Sequence, residues 1–361
     1  MSGDRLSEAA AQANRAGVEL DELTWEDARA LVGAAAGSAA YAPEGYTGVD
    51  PRNGEPAIFN ERRARRPHDN GPGGSRSCVV CEGRITPILD IAPLSAGFTF
   101  INTNLYPIVA PTAAVAAPPY APVYGLHLLQ WTSSLHGADW DTLPASDRRI
   151  ALDRLAALET RLLALDGFPA PAERRYVSII KNVGRSVGGS LTHGHQQIAL
   201  SNVKPRRVAE DEHCAAQTGS GFGPYMRAAN PPELTVFELE HGRMIVPYFM
   251  RRPFDMQFVL FDPSPMYLSE LTAGQRQDLG HALAAGMRML SHVLSQLGRE
   301  VAYNIVFHTG VPGGLYLELL PYSQPEGGFE RLGLSACQSS PPAAARYLAE
   351  VAAALSDSWR R

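Results

Sequence analysis

Apolar residues in this chain change their spacing twice, in the same order each time. Short apolar or alternating runs at Phe98–Val109 and Val123–Trp131 predict strands. Ile150, Leu155, Leu158, Leu162 and Leu165 then recur at helical spacing, with Ser146 as the expected N-cap and Gly167 as the stop. Strand spacing returns at Tyr176–Asn182 and, beyond a glycine-rich turn, at 191–200. The second half repeats the order. Strands are predicted at 234–240, 244–249 and 256–261. A helix follows from the capping pair Thr272 and Gln275 through Leu279, Leu283, Met287, Leu290, Leu294 and Leu297 to Gly298. Strands at 302–308 and 315–320 complete it. The prediction is an α+β fold of two tandem halves, each an antiparallel sheet with a long helix. Residues 46–210 would form the first half and 211–361 the second. Residues 1–45 read as a helical extension and linker, with Leu20, Leu23, Trp25, Ala28 and Leu31 as its apolar stripe.

Polar chemistry concentrates between the last two strands of the first half, at Gly188-Gly-Ser-Leu-Thr-His-Gly-His-Gln-Gln-Ile198. If 191–200 is extended, His193, His195 and Gln197 share one face. Gly184, Gly188 and Gly189 allow the backbone to turn and to approach a ligand closely. An imidazole beside such a loop could attack and hold a phosphate. The same residues also describe a strand with two solvent-facing histidines. The second half has Tyr316 and Glu318 where the first has its histidine pair.

Two further clusters bear on this. Arg62, Arg63, Arg65 and Arg66 precede a Pro/Gly-rich loop, and their planar guanidinium forks suit phosphate oxygens. Cys78-Val-Val-Cys81 could be half of a zinc site or a redox pair. Cys214 and Cys337 are isolated thiols. Asn102 and Asn104 occupy the polar positions of their strand.

Composition narrows the function classes. The chain of 361 residues is 45% hydrophobic and 19% charged, as expected for a globular protein with a sizeable core. A net charge of −5 speaks against a general nucleic-acid or membrane-surface binder. No apolar run approaches the roughly 18–20 residues that span a bilayer. The first residues lack a basic start followed by an apolar stretch, so the cytoplasm is the expected location. Four cysteines in a chain of this length make no disulfide scaffold.

Taken together, the motifs resemble the galactose-1-phosphate uridylyltransferase family, nucleotidyltransferases of the histidine-triad superfamily. The resemblance covers roughly residues 58–350. It rests on R-A-R-R-P at 63–67, C-V-V-C at 78–81, F-I-N-T-N-L-Y-P at 100–107, His136, K-N-V-G at 181–184 and G-G-S-L-T-H-G-H-Q-Q at 188–197. Y-N-I-V-F-H at 303–308, L-L-P at 319–321 and G-F-E at 328–330 add to it. The resemblance implies two tandem histidine-triad-like halves, the second lacking the histidine pair. It implies that His195 is the nucleophile, forming a covalent nucleotidyl-imidazole, with Gln197 and Ser190 acting on the phosphoryl group. A neutral imidazole suits this role because its ordinary pKa is about 6.5. Arg63, Arg66, Lys181, Asn182, Gly188 and Gly189 would meet the phosphates, Asn102 and Thr103 the nucleoside, and Phe329 and Glu330 the sugar. Cys78, Cys81, His136 and His193 match the zinc ligands of relatives, which implies a closed structural site. Tyr316 and Glu318 stand where some relatives hold a second metal, so no second metal site is expected. The implied partners are a nucleotide sugar and a sugar 1-phosphate, or phosphate in sister phosphorylases, with no nucleic acid or membrane and with a homodimer as the assembly. A non-catalytic zinc-stabilised binding protein is the reading from another class.

Overall fold

The computed structural model describes residues 5–34, 44–65, 78–112 and 116–359. The chain forms two units. One comprises Met1–Ala138, Asp153–Ile179 and His193–Glu210, and the other Asp139–Leu152, Ile180–Thr192 and Asp211–Arg361. The units are interleaved in sequence, because two helices and a strand each pass from one to the other along their length.

The first unit begins with helices α1 (Glu8–Ala13) and α2 (Trp25–Ala34). This extension is part of the unit's packing. Leu6, Leu20, Leu23 and Ala28 are buried, and the Ala16 N–H donates to the Ile88 carbonyl at 2.8 Å. Strand β1 (Tyr46–Val49) pairs with β2 (Pro56–Ile58) and with β5 (Ala121–Pro122) in a small sheet that the apolar pattern did not predict. Strands β3 (Ile88–Pro93), β4 (Phe98–Thr103), β6 (Gly125–Trp131) and β8 (His195–Ser201) pair antiparallel in the order β3-β4-β6-β8. Helix α3 (Ala145–Leu163) and strand β7 (Tyr176–Val183) lie between β6 and β8 in the chain. Ser146 falls inside the first turn of α3 rather than capping it, because the Pro144 carbonyl already accepts the Asp147 and Arg148 N–H groups that open the helix. The helix ends at Leu163, and Gly167, at φ 78°, lies in the separate turn that follows instead of stopping the helix.

The second unit holds α4 (Arg206–Thr218) from Asp211 onward and α5 (Phe222–Ala229). Its strands are β9 (Thr235–Glu238), β10 (Gly242–Ile245), β11 (Met256–Leu260), β12 (Tyr303–His308) and β13 (Tyr316–Pro321). They pair antiparallel in the order β9-β10-β11-β13-β12. Helix α6 (Ala273–Gln296) starts on the predicted capping box: Thr272 Oγ1 accepts the Gln275 N–H, and Gln275 Oε1 accepts the Thr272 N–H. Short α7 (Gly328–Arg331) and long α8 (Pro341–Trp359) complete the chain. Leaving aside the small sheet, each half runs three strands, a long helix and two strands. In each, the last strand pairs antiparallel with the strand before the helix, β8 with β6 and β13 with β11. The expected tandem α+β halves are present.

Candidate active site

Residues directly opposite one another in an antiparallel ladder share a face. Trp131 lies opposite His195, and Leu129 lies opposite both Gln197 and Asn102. One face of the first unit's sheet therefore collects Trp131, His195, Gln197 and Asn102. His195, Gln197 and Asn102 are all buried. The His195 ring sits 4.9 Å from the Trp131 ring, and Trp131 Nε1 donates to Asn102 Oδ1 at 2.9 Å. Thr103, one residue on, pairs with Leu128 and so points to the opposite face. It does not join Asn102. That other face carries Gln196, whose Nε2 donates to Gln130 Oε1 at 2.6 Å, and Asp90, which is clamped by Arg154 from α3.

The backbone settles the tautomer of His195. Its Nδ1 is 2.8 Å from the His193 carbonyl oxygen, which can only accept. Nδ1 therefore carries a proton, and in the neutral ring the lone pair lies on Nε2. His193 does not belong to the strand; β8 begins at His195, and His193 sits in the bend before it. Its ring turns away to a second cluster. His193 Nε2 donates to the Ser133 carbonyl at 2.8 Å, which leaves the Nδ1 lone pair facing Cys78 and Cys81 Sγ, each 3.7 Å away. Cys81 Sγ is also 3.7 Å from His136 Nδ1. The four ligand atoms lie within 4.8 Å of one another, and neither cysteine is in a disulfide. Zinc bonds of about 2.3 Å to sulfur and 2.0–2.1 Å to nitrogen at a tetrahedral angle require an S···N separation of about 3.6 Å. The cluster fits a tetrahedral Cys2His2 metal site.

The remaining predicted residues divide between the units. Arg63 lies in the first unit on the short turn Glu61–Arg65, where its N–H is capped by Asn60 Oδ1, while Arg66 lies outside the described residues. The glycine loop belongs to the second unit. Gly184 and Gly188 both have φ of 88°, and the Gly188 and Gly189 N–H groups bond back to Arg185 and Gly184 carbonyls. Those N–H groups shape the loop. Ser190 is buried at its end. Lys181 is buried with its ammonium 2.6 Å from Asp139 Oδ2, so its charge is matched locally. Asn182 Oδ1 accepts from Asn304 at 2.7 Å. Phe329 is exposed on α7. The Glu330 carboxylate staples its own turn by accepting the Gly327 and Ala336 N–H groups, and these bonds hold its pKa below the usual range. Sequence reasoning missed Trp131, Ser133, Asn304 and Glu300. Only cross-strand register and turn geometry bring them to the functional groups.

The fold has solved counterparts. A uridylyltransferase structure superposes with a TM-score of 0.68 at 21% identity, over 86% of this chain and 99% of that one. The chain has the uridylyltransferase fold. A GalT-like protein from Arabidopsis thaliana matches with a TM-score of 0.63 at 20% identity, over 84% of this chain and 98% of that one. An ADP-glucose phosphorylase from Arabidopsis thaliana, solved with bound ADP-glucose, gives 0.63 at 21% over the same shares. No protein-family model matches the chain. No helix among the described residues is long and apolar enough to cross a membrane.

Proposed function

We propose that the chain transfers a nucleotidyl group from a nucleoside diphosphate sugar through a covalent intermediate on His195. The observation that carries this reading is the His195 tautomer, with Nδ1–H donated to the His193 carbonyl and the ring lone pair on Nε2, on the strand face that Gln197 shares. Nε2 attacks the α-phosphorus, the bond from that phosphorus to the bridging oxygen breaks, and the sugar 1-phosphate leaves. Nε2 brings no proton, so none has to be removed before attack. The Nδ1–H bond to the carbonyl supports the cationic ring of the intermediate. An oxygen of the acceptor phosphate then attacks, the N–P bond breaks, and the imidazole returns to its starting form. Gln197 donates its amide N–H to the phosphoryl oxygens, Ser190 and Asn182 meet the phosphates, Arg63 and Arg66 add positive charge, and Asn102 meets the nucleoside. Phe329 and Glu330 are assigned to the sugar side.

Cys78, Cys81, His136 and His193 would hold a zinc ion whose contribution is structural, since four protein ligands leave no open position. UMP transfer from UDP-glucose to a hexose 1-phosphate is the reaction favoured by the motif set and by the likeness to a uridylyltransferase. The likeness to an ADP-glucose phosphorylase supports a second reading, in which inorganic phosphate resolves the same intermediate.

Incubation with radiolabelled UDP-glucose and ADP-glucose tests both. Acid-labile label should appear on the wild-type protein and be absent from His195→Ala. Release by galactose 1-phosphate identifies a transferase, and release by phosphate a phosphorylase. A wild-type protein that takes no label from either nucleotide sugar, or a His195→Ala protein that labels normally, refutes the covalent mechanism.

A further inference from the structure

The glycine loop of the second unit is fastened along one side by a single short stretch, Glu300–Asn304. Glu300 accepts the Arg185 N–H at 2.6 Å and the Ser186 hydroxyl. Gly184 packs directly on the next residues, so close that a Cβ there would lie 2.6 Å from the Val301 carbonyl oxygen. Asn304 Nδ2 donates both to the Val187 carbonyl at 3.2 Å and to Asn182 Oδ1 at 2.7 Å.

The last pair of bonds fixes a polarity. A backbone carbonyl can only accept, so the Asn304 side chain must turn its NH2 toward Val187. The second hydrogen of that NH2 then meets Asn182, which must offer its oxygen. The Asn182 NH2 is thereby turned the other way, toward Gly188, where an added Cβ would lie 3.6 Å from Asn182 Nδ2. We propose that Asn304 is a positioning residue that holds the Asn182 amide with its donor end toward the substrate phosphates. The inference rests on the nucleotidyl-transfer reading above. Phosphate oxygens accept and do not donate, so an inverted amide would oppose them rather than bind them.

Asn304→Asp keeps the shape and reverses the polarity, because a carboxylate can only accept and would draw the Asn182 NH2 to itself. Single-turnover labelling from UDP-glucose or ADP-glucose should slow by about 10–100-fold, the worth of one hydrogen bond to a charged group. Asn182→Ala should slow it by a similar factor, and the double variant should be no slower than either single one. Additive losses, or wild-type labelling by Asn304→Asp, would overturn the proposal. A readout that does not depend on turnover separates it from the reading it rests on. With asparagine-selective 15N labelling, the Asn182 side-chain NH2 should exchange quickly with water in the wild type and slowly in Asn304→Asp. Slow exchange in the wild type would refute the amide orientation, whichever nucleotide the protein uses. Absence of label from the wild type together with the expected exchange pattern would refute the reaction and keep the orientation.

Discussion

A single carbonyl, that of His193, separates the two jobs of the histidine pair. It accepts the Nδ1–H of His195 and so leaves the lone pair of the neutral ring on Nε2, while the ring of its own residue faces two cysteines. The alternation His-x-His-x-Gln showed which residues would be near one another. It could not show that the strand starts only at His195, which lets His193 turn out of the row. A second residue-scale consequence lies at Asp255. Burial pushes its carboxyl up to about 6, with the neighbouring Arg252 and Arg251 only partly opposing the shift. The folded protein thus binds this proton more tightly than the unfolded chain does. The resulting stabilisation is present at low pH and is lost as pH rises from about 4 to about 6. Above that window a charge is held in a buried place, at a cost of the order of 3 kcal/mol. Asp255→Asn carries no charge and can still accept the Arg252 N–H that Asp255 Oδ2 accepts. The urea midpoint of the variant should exceed that of the wild type at pH 7.5, and the difference should vanish near pH 4. A variant less stable than the wild type at pH 7.5 would contradict this account.

At the scale of elements, the strand pair β6–β8 sets the place of the residues proposed for the chemistry. β6 brings Trp131 and β8 brings His195, and their register is held to the far end, where Gly125 faces Ser201. A Cβ at Gly125 would lie 2.0 Å from the Leu200 carbonyl oxygen and 2.8 Å from Val109 Cγ2. Both obstacles are firm, one being backbone and the other a stiff β-branched side chain. Gly125→Ala should therefore push the two strands apart, destabilise the protein by about 1–3 kcal/mol and slow labelling of His195. Thermal melting and single-turnover labelling would show it, and an unchanged melting temperature would mean that the strands do not need this close approach. Helix α6 was legible to within a residue, because its capping box, apolar stripe and Gly298 stop all agree. The small sheet of β1, β2 and β5 was not. Its strands are two to four residues long, too short for alternation to be read. Helices α4 and α5 escaped for the related reason that neither combines a long apolar stripe with a cap.

At the scale of the molecule, two halves with one topology have diverged in what they place on equivalent strands. On β8 the first half keeps the histidine, the glutamine and a metal-type cluster beside them. On β13 the second half carries Tyr316 and Glu318, which close a buried network instead. His308 Nε2 lies 3.0 Å from Glu318, the Tyr316 hydroxyl donates to Asp211, and the His308 ring stacks on Tyr316 at 4.1 Å. Burial alone would lower the His308 pKa, but the bonds to Asp211 and Glu318 outweigh it and raise it above the ordinary value. The order of elements and the Cys-x-x-Cys spacing were readable because both are local in sequence. The interleaving of the units, and the pairing of Ser133 with His193, depend on contacts between distant segments that no local pattern encodes. His193 joins the cluster to His195, the proposed nucleophile, since its side chain belongs to one and its carbonyl orients the other. Metal loss should therefore be felt at His195 even though the cysteines are assigned no part in binding substrate. The purified protein should contain about one zinc per chain, as a four-ligand site requires. Cys81→Ser should lose most of that metal, melt at a lower temperature and label His195 more slowly, and a chelator should reproduce all three effects in the wild type. Unchanged metal content in Cys81→Ser would rule out the four-ligand site. Loss of metal with full labelling would show that the His193 carbonyl holds its place without it.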